Sequence, residues 1–168
     1  MPVTNPDFTE LAISRRVLIT SALAASLIGA CASARRNSAP VVLFVCQYGT
    51  AKSAISRELF RRRVRQRRLA IKAFSRGLTI EDHLTPELRQ RLLADGIDPT
   101  LEPAQALQPQ DWQHATLVVA FNTLPPAVPR AKVRDWTDLP SITDDYANTR
   151  AILDRRLETL IDELAGRG

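Results

Sequence analysis

Cysteine, lysine and serine fall within one short stretch, Cys46-Gln47-Tyr48-Gly49-Thr50-Ala51-Lys52-Ser53, directly after the apolar run Val41–Val45. A thiol is a strong nucleophile once ionised, and backbone N–H groups of a tight loop that opens a helix favour negative charge. Gly49 can adopt positive φ without strain, which lets the loop curl around a tetrahedral oxyanion. Residue types and spacing therefore point to a cysteine aimed at an anion, with Lys52 supplying charge.

The elements needed to hold such a loop are legible. "VVLFV" is continuously apolar and β-branched, the pattern of a strand buried on both faces. From Ser53 to about Arg67 the chain lacks Gly and Pro, which predicts a helix whose buried stripe is Ile55 and Leu59, widened by Phe60 and Val64. "LAIKAFS" is the next strand, ended by Gly77. In "LTPELRQRLLADGID", Thr85 is a natural N-cap, Pro86 suits the first helical position, and Gly96 follows the end. "ATLVVAF" and "AKVRDW" predict the third and fourth strands, and "DDYANTRAILDRRLETLIDELA" a closing helix. Strand and helix alternate throughout, which implies an α/β fold, a small open parallel four-stranded sheet with helices on both faces. Ligands in such sheets bind at the carboxyl ends of the strands, where Cys46 falls.

The first thirty residues read differently. Arg15 and Arg16 precede an uncharged, mildly apolar stretch from Val17 to Ala30 and then Cys31, the plan of a secretory signal too short for a comfortable span. "SRRVL" resembles the twin-arginine export motif, and "LIGAC" resembles the lipobox of bacterial lipoproteins, which implies lipidation of Cys31. Residues 1–30 are thus expected to be a signal peptide, 31–40 a tether and 41–168 the folded domain. The expected location is the periplasm, with the membrane as partner through a lipid anchor.

Composition narrows the function classes. The chain has 168 residues, 45% of them apolar, and a formal net charge of +5, which suits a globular domain. Two cysteines exclude a disulfide framework. His83 and His114 lack ligand companions, so neither a metal nor another cofactor is expected. The run "RELFRRRVRQRRLAIK" could track nucleic acid or anionic lipid, but only Phe60 interleaves it, so nucleic acid is not the expected partner.

"VLFVCQYGTAKSAISRELF" resembles the opening of the low-molecular-weight protein tyrosine phosphatases and of the arsenate reductases built on their fold, whose signature is cysteine, five residues, arginine, serine. "SRGL", "LRQRLLADGID" and "AQALQPQDWQHATLVVAF" resemble later segments of that family, in order. The resemblance implies a phosphomonoester hydrolase in which Cys46 forms a cysteinyl-phosphate. Gln47, Tyr48, Gly49, Thr50, Ala51 and Lys52 would present amides to the phosphoryl oxygens, and Ser53 would steady the thiolate. The family's general acid is an aspartate followed by proline; here Asp138 is the implied counterpart, with Asp135 as substitute. Asp144 and Asp145 are expected to cap the last helix. The implied substrate is a phosphorylated protein or a small phosphomonoester.

Departures from the pattern are specific. Lys52 stands where the family has arginine, and an ammonium cannot make a guanidinium's planar, two-pronged grip. Arg76, where the family tends to have a small residue, could reach the pocket or lie in solvent. Tyr48 could sit at the pocket mouth or pack over the back of the loop. Two other functions stay open: an arsenate reductase using an external thiol, since no cysteine follows Cys46, and a catalytically weak oxyanion-binding module.

Overall fold

The computed structural model describes residues 39–98 and 101–166. The expected signal, Cys31 and most of the tether, residues 1–38, lie outside the described residues. The elements are β1 (Val41–Cys46), α1 (Lys52–Gln66), β2 (Lys72–Gly77), α2 (Pro86–Ala94), α3 (Pro109–His114), β3 (Leu117–Ala120), a 3-10 turn (Arg130–Lys132), β4 (Val133–Asp135) and α4 (Tyr146–Ala165). The sheet has the order β2-β1-β3-β4, and every pair is parallel. It is the open α/β sheet the alternation implies.

Alternate residues of β1 feed the two faces. Val42, Phe44 and Cys46 join a core with Ile55, Leu59 and Phe60 of α1, Leu88 and Leu92 of α2, and Leu153, Leu157, Leu160 and Ile161 of α4. Leu43 and Val45 join Ala115, Val118 and Val128 on the opposite face, with Trp112 of α3 packed against them. Burial on both sides explains the unbroken apolar run of β1, since every side chain must leave water.

The helix ends follow their sequence signals. The Thr85 side chain accepts from the Leu88 amide and Pro86 opens α2, while Gly96 takes φ +68 beyond its end. Asp145 accepts from the Asn148 amide at the start of α4, the capping role expected of it. Two elements differ from expectation. The second strand begins at Lys72 rather than near Leu69, because α1 and its closing turn continue through Arg68, which takes φ +54. Helix α3 has six residues, too few for a periodic signature; it starts at Pro109, and the Gln108 amide donates to Asp111 Oδ2 at 2.8 Å.

The arginine run of α1 is largely neutralised inside the fold. Arg63 pairs with Asp154 and, at 2.6 Å, with Glu158; Arg67 pairs with Asp162 at 2.7 Å. Arg61 pairs with Glu102 at 2.5 Å, and Arg62 donates to the carbonyls of Asp95 and Gly96. These guanidinium groups are held by α4 and by neighbouring loops rather than presented as one cationic face. Among the described residues, no helix is long and apolar enough to cross a membrane.

Candidate active site

The strand order reverses between β1 and β3: from β1 the chain first moves to β2 on one side and later returns to β3 on the other. Such a switch point leaves a crevice at the carboxyl ends of the two strands. Cys46 ends β1 there, and Asn122 lies just past the end of β3; its Oδ1 accepts the Gln47 amide at 2.9 Å. Asn122 had a usable signal, a polar side chain directly after a buried strand. The bond also corrects one expectation: the Gln47 amide serves the β3 loop and is not directed at an anion.

The thiol sits between a hydroxyl and a backbone amide. Its Sγ is 3.0 Å from Ser53 Oγ, and the Gly49 amide donates to it at 3.2 Å. Cys46 is 5% exposed and is the free cysteine among the described residues. Gly49, whose N–H faces the sulfur, takes φ +74, a left-handed backbone that glycine adopts without strain and that turns the chain onward toward α1. Helix α1 then starts at Lys52 behind Ala51, which has no side-chain acceptor, and its first turn carries no acidic residue. The first amides of a helix have no intrahelical partner, so this uncapped start offers N–H groups and a positive dipole end to an anion beside the thiol.

A second layer holds the loop from below. The Thr79 amide donates to the Gln47 carbonyl at 2.9 Å, the Leu78 amide to the Cys46 carbonyl at 3.0 Å, and Thr50 Oγ1 to the Glu81 carbonyl at 3.2 Å. The Tyr48 ring stacks on His83 with centroids 3.7 Å apart, and His83 Nε2 is 2.6 Å from Glu81 Oε2. Tyr48 is thereby strapped to the segment after β2. Arg57, 1% exposed, donates to Ser75 Oγ at 2.7 Å and lies 3.3 Å from Glu102, whose segment places Ala104 against Gly49. Nothing in the arginine run distinguishes Arg57 from its neighbours, so this support was invisible in the sequence.

Lys52 extends from the end of the thiol loop to the loop after β4, where its Nζ donates to the Leu139 carbonyl at 2.8 Å. Burial pushes its ammonium below the ordinary lysine range, and the negative charge of Cys46 opposes that shift. The neighbouring carboxylates behave differently from the expectation of a general acid. Both oxygens of Asp138 are forked by Arg156 of α4, at 2.8 and 2.5 Å, and this partner holds its carboxyl below the usual range. Asp135 Oδ1 accepts the Thr137 amide at 2.8 Å, and the bonds from Thr137 hold it low as well. Both groups are stabilised in the ionised form, whereas an acid catalyst must carry a proton. Arg76 is a plain correction: its Nη2 lies 2.9 Å from Asp111 of α3 and its Nη1 donates to the Ser75 carbonyl, so it cannot compensate for the missing arginine. No cluster of three or more His, Cys, Asp or Glu residues suited to a metal occurs among the described residues.

No family model matches the chain, and no curated protein matches it in sequence. Solved structures do. YfkJ from Bacillus subtilis superposes with a TM-score of 0.67 at 18% identity, over 79% of this chain and 98% of that one. A low-molecular-weight protein tyrosine phosphatase from T. tengcongensis gives 0.61 at 20% identity, over 74% and 99%. An arsenate reductase in the phosphate-binding state gives 0.61 at 19% identity, over 74% and 98%. Four parallel strands in the order β2-β1-β3-β4, with a cysteine loop at the switch point, therefore form the fold that low-molecular-weight protein tyrosine phosphatases and arsenate reductases share.

Proposed function

We propose that the protein is a phosphomonoester hydrolase working through a cysteinyl-phosphate on Cys46. The observation that carries this reading is the thiol itself, held between Ser53 Oγ and the Gly49 amide beside the uncapped start of α1. In the first step the Cys46 thiolate attacks phosphorus and the ester oxygen leaves; in the second, water attacks the cysteinyl-phosphate and the thiolate departs. The Ser53 hydroxyl steadies the sulfur in both directions, and the amides at the helix start receive the charge that grows on the phosphoryl oxygens. The phosphatase among the structural neighbours supports the reaction class, and a phosphotyrosine-type ester is the substrate this reading favours.

Incubation with p-nitrophenyl phosphate is expected to release p-nitrophenol and, on rapid quench, to leave a phosphoryl group on the Cys46 peptide. Reduction of arsenate to arsenite by an external thiol, with no release of p-nitrophenol from the ester, would replace this reading with arsenate reduction. A raised melting temperature in phosphate with neither turnover would replace it with an oxyanion-binding module.

The export reading rests on Arg15, Arg16, the stretch Val17–Ala30 and Cys31. We infer a lipid-anchored protein facing the periplasm. Metabolic labelling with a radioactive fatty acid in a bacterial host is expected to mark the wild type and to miss Cys31→Ala; equal labelling of the two would remove the lipoprotein assignment.

A further inference from the structure

Ester cleavage needs a proton for the departing oxygen, and the two carboxylates of the loop after β4 are poorly disposed to give one. Asp138 is forked by Arg156 and turned toward α4, and Asp135 caps the Thr137 amide. Lys52 is placed otherwise. It begins α1 at the end of the thiol loop, interacts electrostatically with Cys46, and reaches across to the Leu139 carbonyl at 2.8 Å. In an in-line displacement the leaving oxygen lies opposite the attacking sulfur, on the open side of the loop. One of the three ammonium N–H groups is engaged by Leu139, which fixes the nitrogen in place while two remain to donate.

We propose that Lys52 is the proton donor to the leaving oxygen, a role beyond holding phosphate. The proposal rests on the phosphatase reading above. In the first step the sulfur–phosphorus bond forms, the phosphorus–oxygen ester bond breaks, and the Lys52 ammonium passes one proton to the leaving oxygen, giving the alcohol or phenol and a neutral amine. In the second step a water oxygen bonds to phosphorus, the sulfur–phosphorus bond breaks to regenerate the thiolate, and the amine takes one proton from that water. The products are monohydrogen phosphate and the original ammonium, so atoms and charge balance without another reactant. Partial burial suits the group to this cycle, because an ammonium that is easier to deprotonate is a better acid near neutral pH. Arginine, which does not give up its proton in proteins, could not replace it.

The test compares kcat/KM on p-nitrophenyl phosphate, whose leaving group needs no proton, with phenyl phosphate, whose leaving group does. Wild type, Lys52→Arg, Lys52→Gln and Asp138→Asn are measured. Both lysine variants are expected to lose about 10²–10⁴-fold more on the phenyl ester than on the p-nitrophenyl ester. The ratio of two rates on one preparation is independent of the fraction folded, and two substitutions give it twice. A Lys52→Arg change of equal size on both esters, or a gain on both, overturns the lysine assignment while leaving the phosphatase reading intact. So does a selective loss on phenyl phosphate in Asp138→Asn. Absence of turnover of either ester by the wild type overturns both readings together.

Discussion

Replacing Cys46 by serine is expected to lower phosphate-ester turnover by at least about 10⁴-fold, the scale on which loss of a catalytic nucleophile acts. The substitution is nearly isosteric, so the Gly49 amide and Ser53 hydroxyl that face the sulfur can face an oxygen instead. What changes is chemistry. A serine hydroxyl is hardly ionised at neutral pH, and no histidine or carboxylate among the groups placed here is positioned to take its proton. Phosphate should still raise the melting temperature of the variant, since the helix start and Lys52 remain. Turnover that persists in Cys46→Ser would sink the covalent mechanism, and loss of the phosphate shift would show that the loop itself had collapsed.

The second large effect is expected at Gly77→Ala. A Cβ at this position would stand 2.5 Å from the Thr79 carbonyl oxygen and 2.8 Å from both the Gly49 nitrogen and the Tyr48 carbonyl carbon. All three are backbone atoms, so no side chain can swing aside. Nor can Gly77 move: its amide donates to the Gln105 carbonyl at 2.9 Å, its carbonyl accepts the Leu107 amide at 2.8 Å, and it is in register with Cys46. Overpacking of this kind costs about 1–3 kcal/mol, and we expect the upper end in urea unfolding. Turnover should fall further than the folded fraction, because relief of the clash displaces Gly49 from the thiol. Gly166→Ala is the contrast, with its nearest neighbour at 3.4 Å. A Gly77→Ala midpoint matching that of Gly166→Ala would refute the packing account.

Much of this was legible from residue order. The unbroken run of β1, the Thr85-Pro86 start and Gly96 end of α2, and the apolar stripe of α4 each carry a local signal, and each element formed where that signal lies. Cys46, Gly49 and Ser53 could be read together because they are near neighbours in the chain. Long-range pairing was not readable. Nothing near Asp138 announces Arg156, nothing near Arg76 announces Asp111, and the arginines of α1 look solvent-facing until α4 supplies Asp154, Glu158 and Asp162. Charge can be counted in a sequence, but its neutralisation depends on which elements come to lie side by side. Helix α3 escaped for another reason, being too short to show a period.

The hydrogen bond from Lys52 to Leu139 joins residues 87 positions apart, whereas the contacts of Cys46 with Gly49 and Ser53 span 3 and 7. Entropy opposes closure of the longer segment more strongly, and contacts of high sequence separation slow folding. The thiol loop finds all of its partners by the end of β3, the last of them Asn122, but the lysine finds its acceptor only once the chain after β4 has docked. During refolding, anion capture and ester cleavage would therefore be acquired separately, with cleavage waiting on the final strand of the sheet.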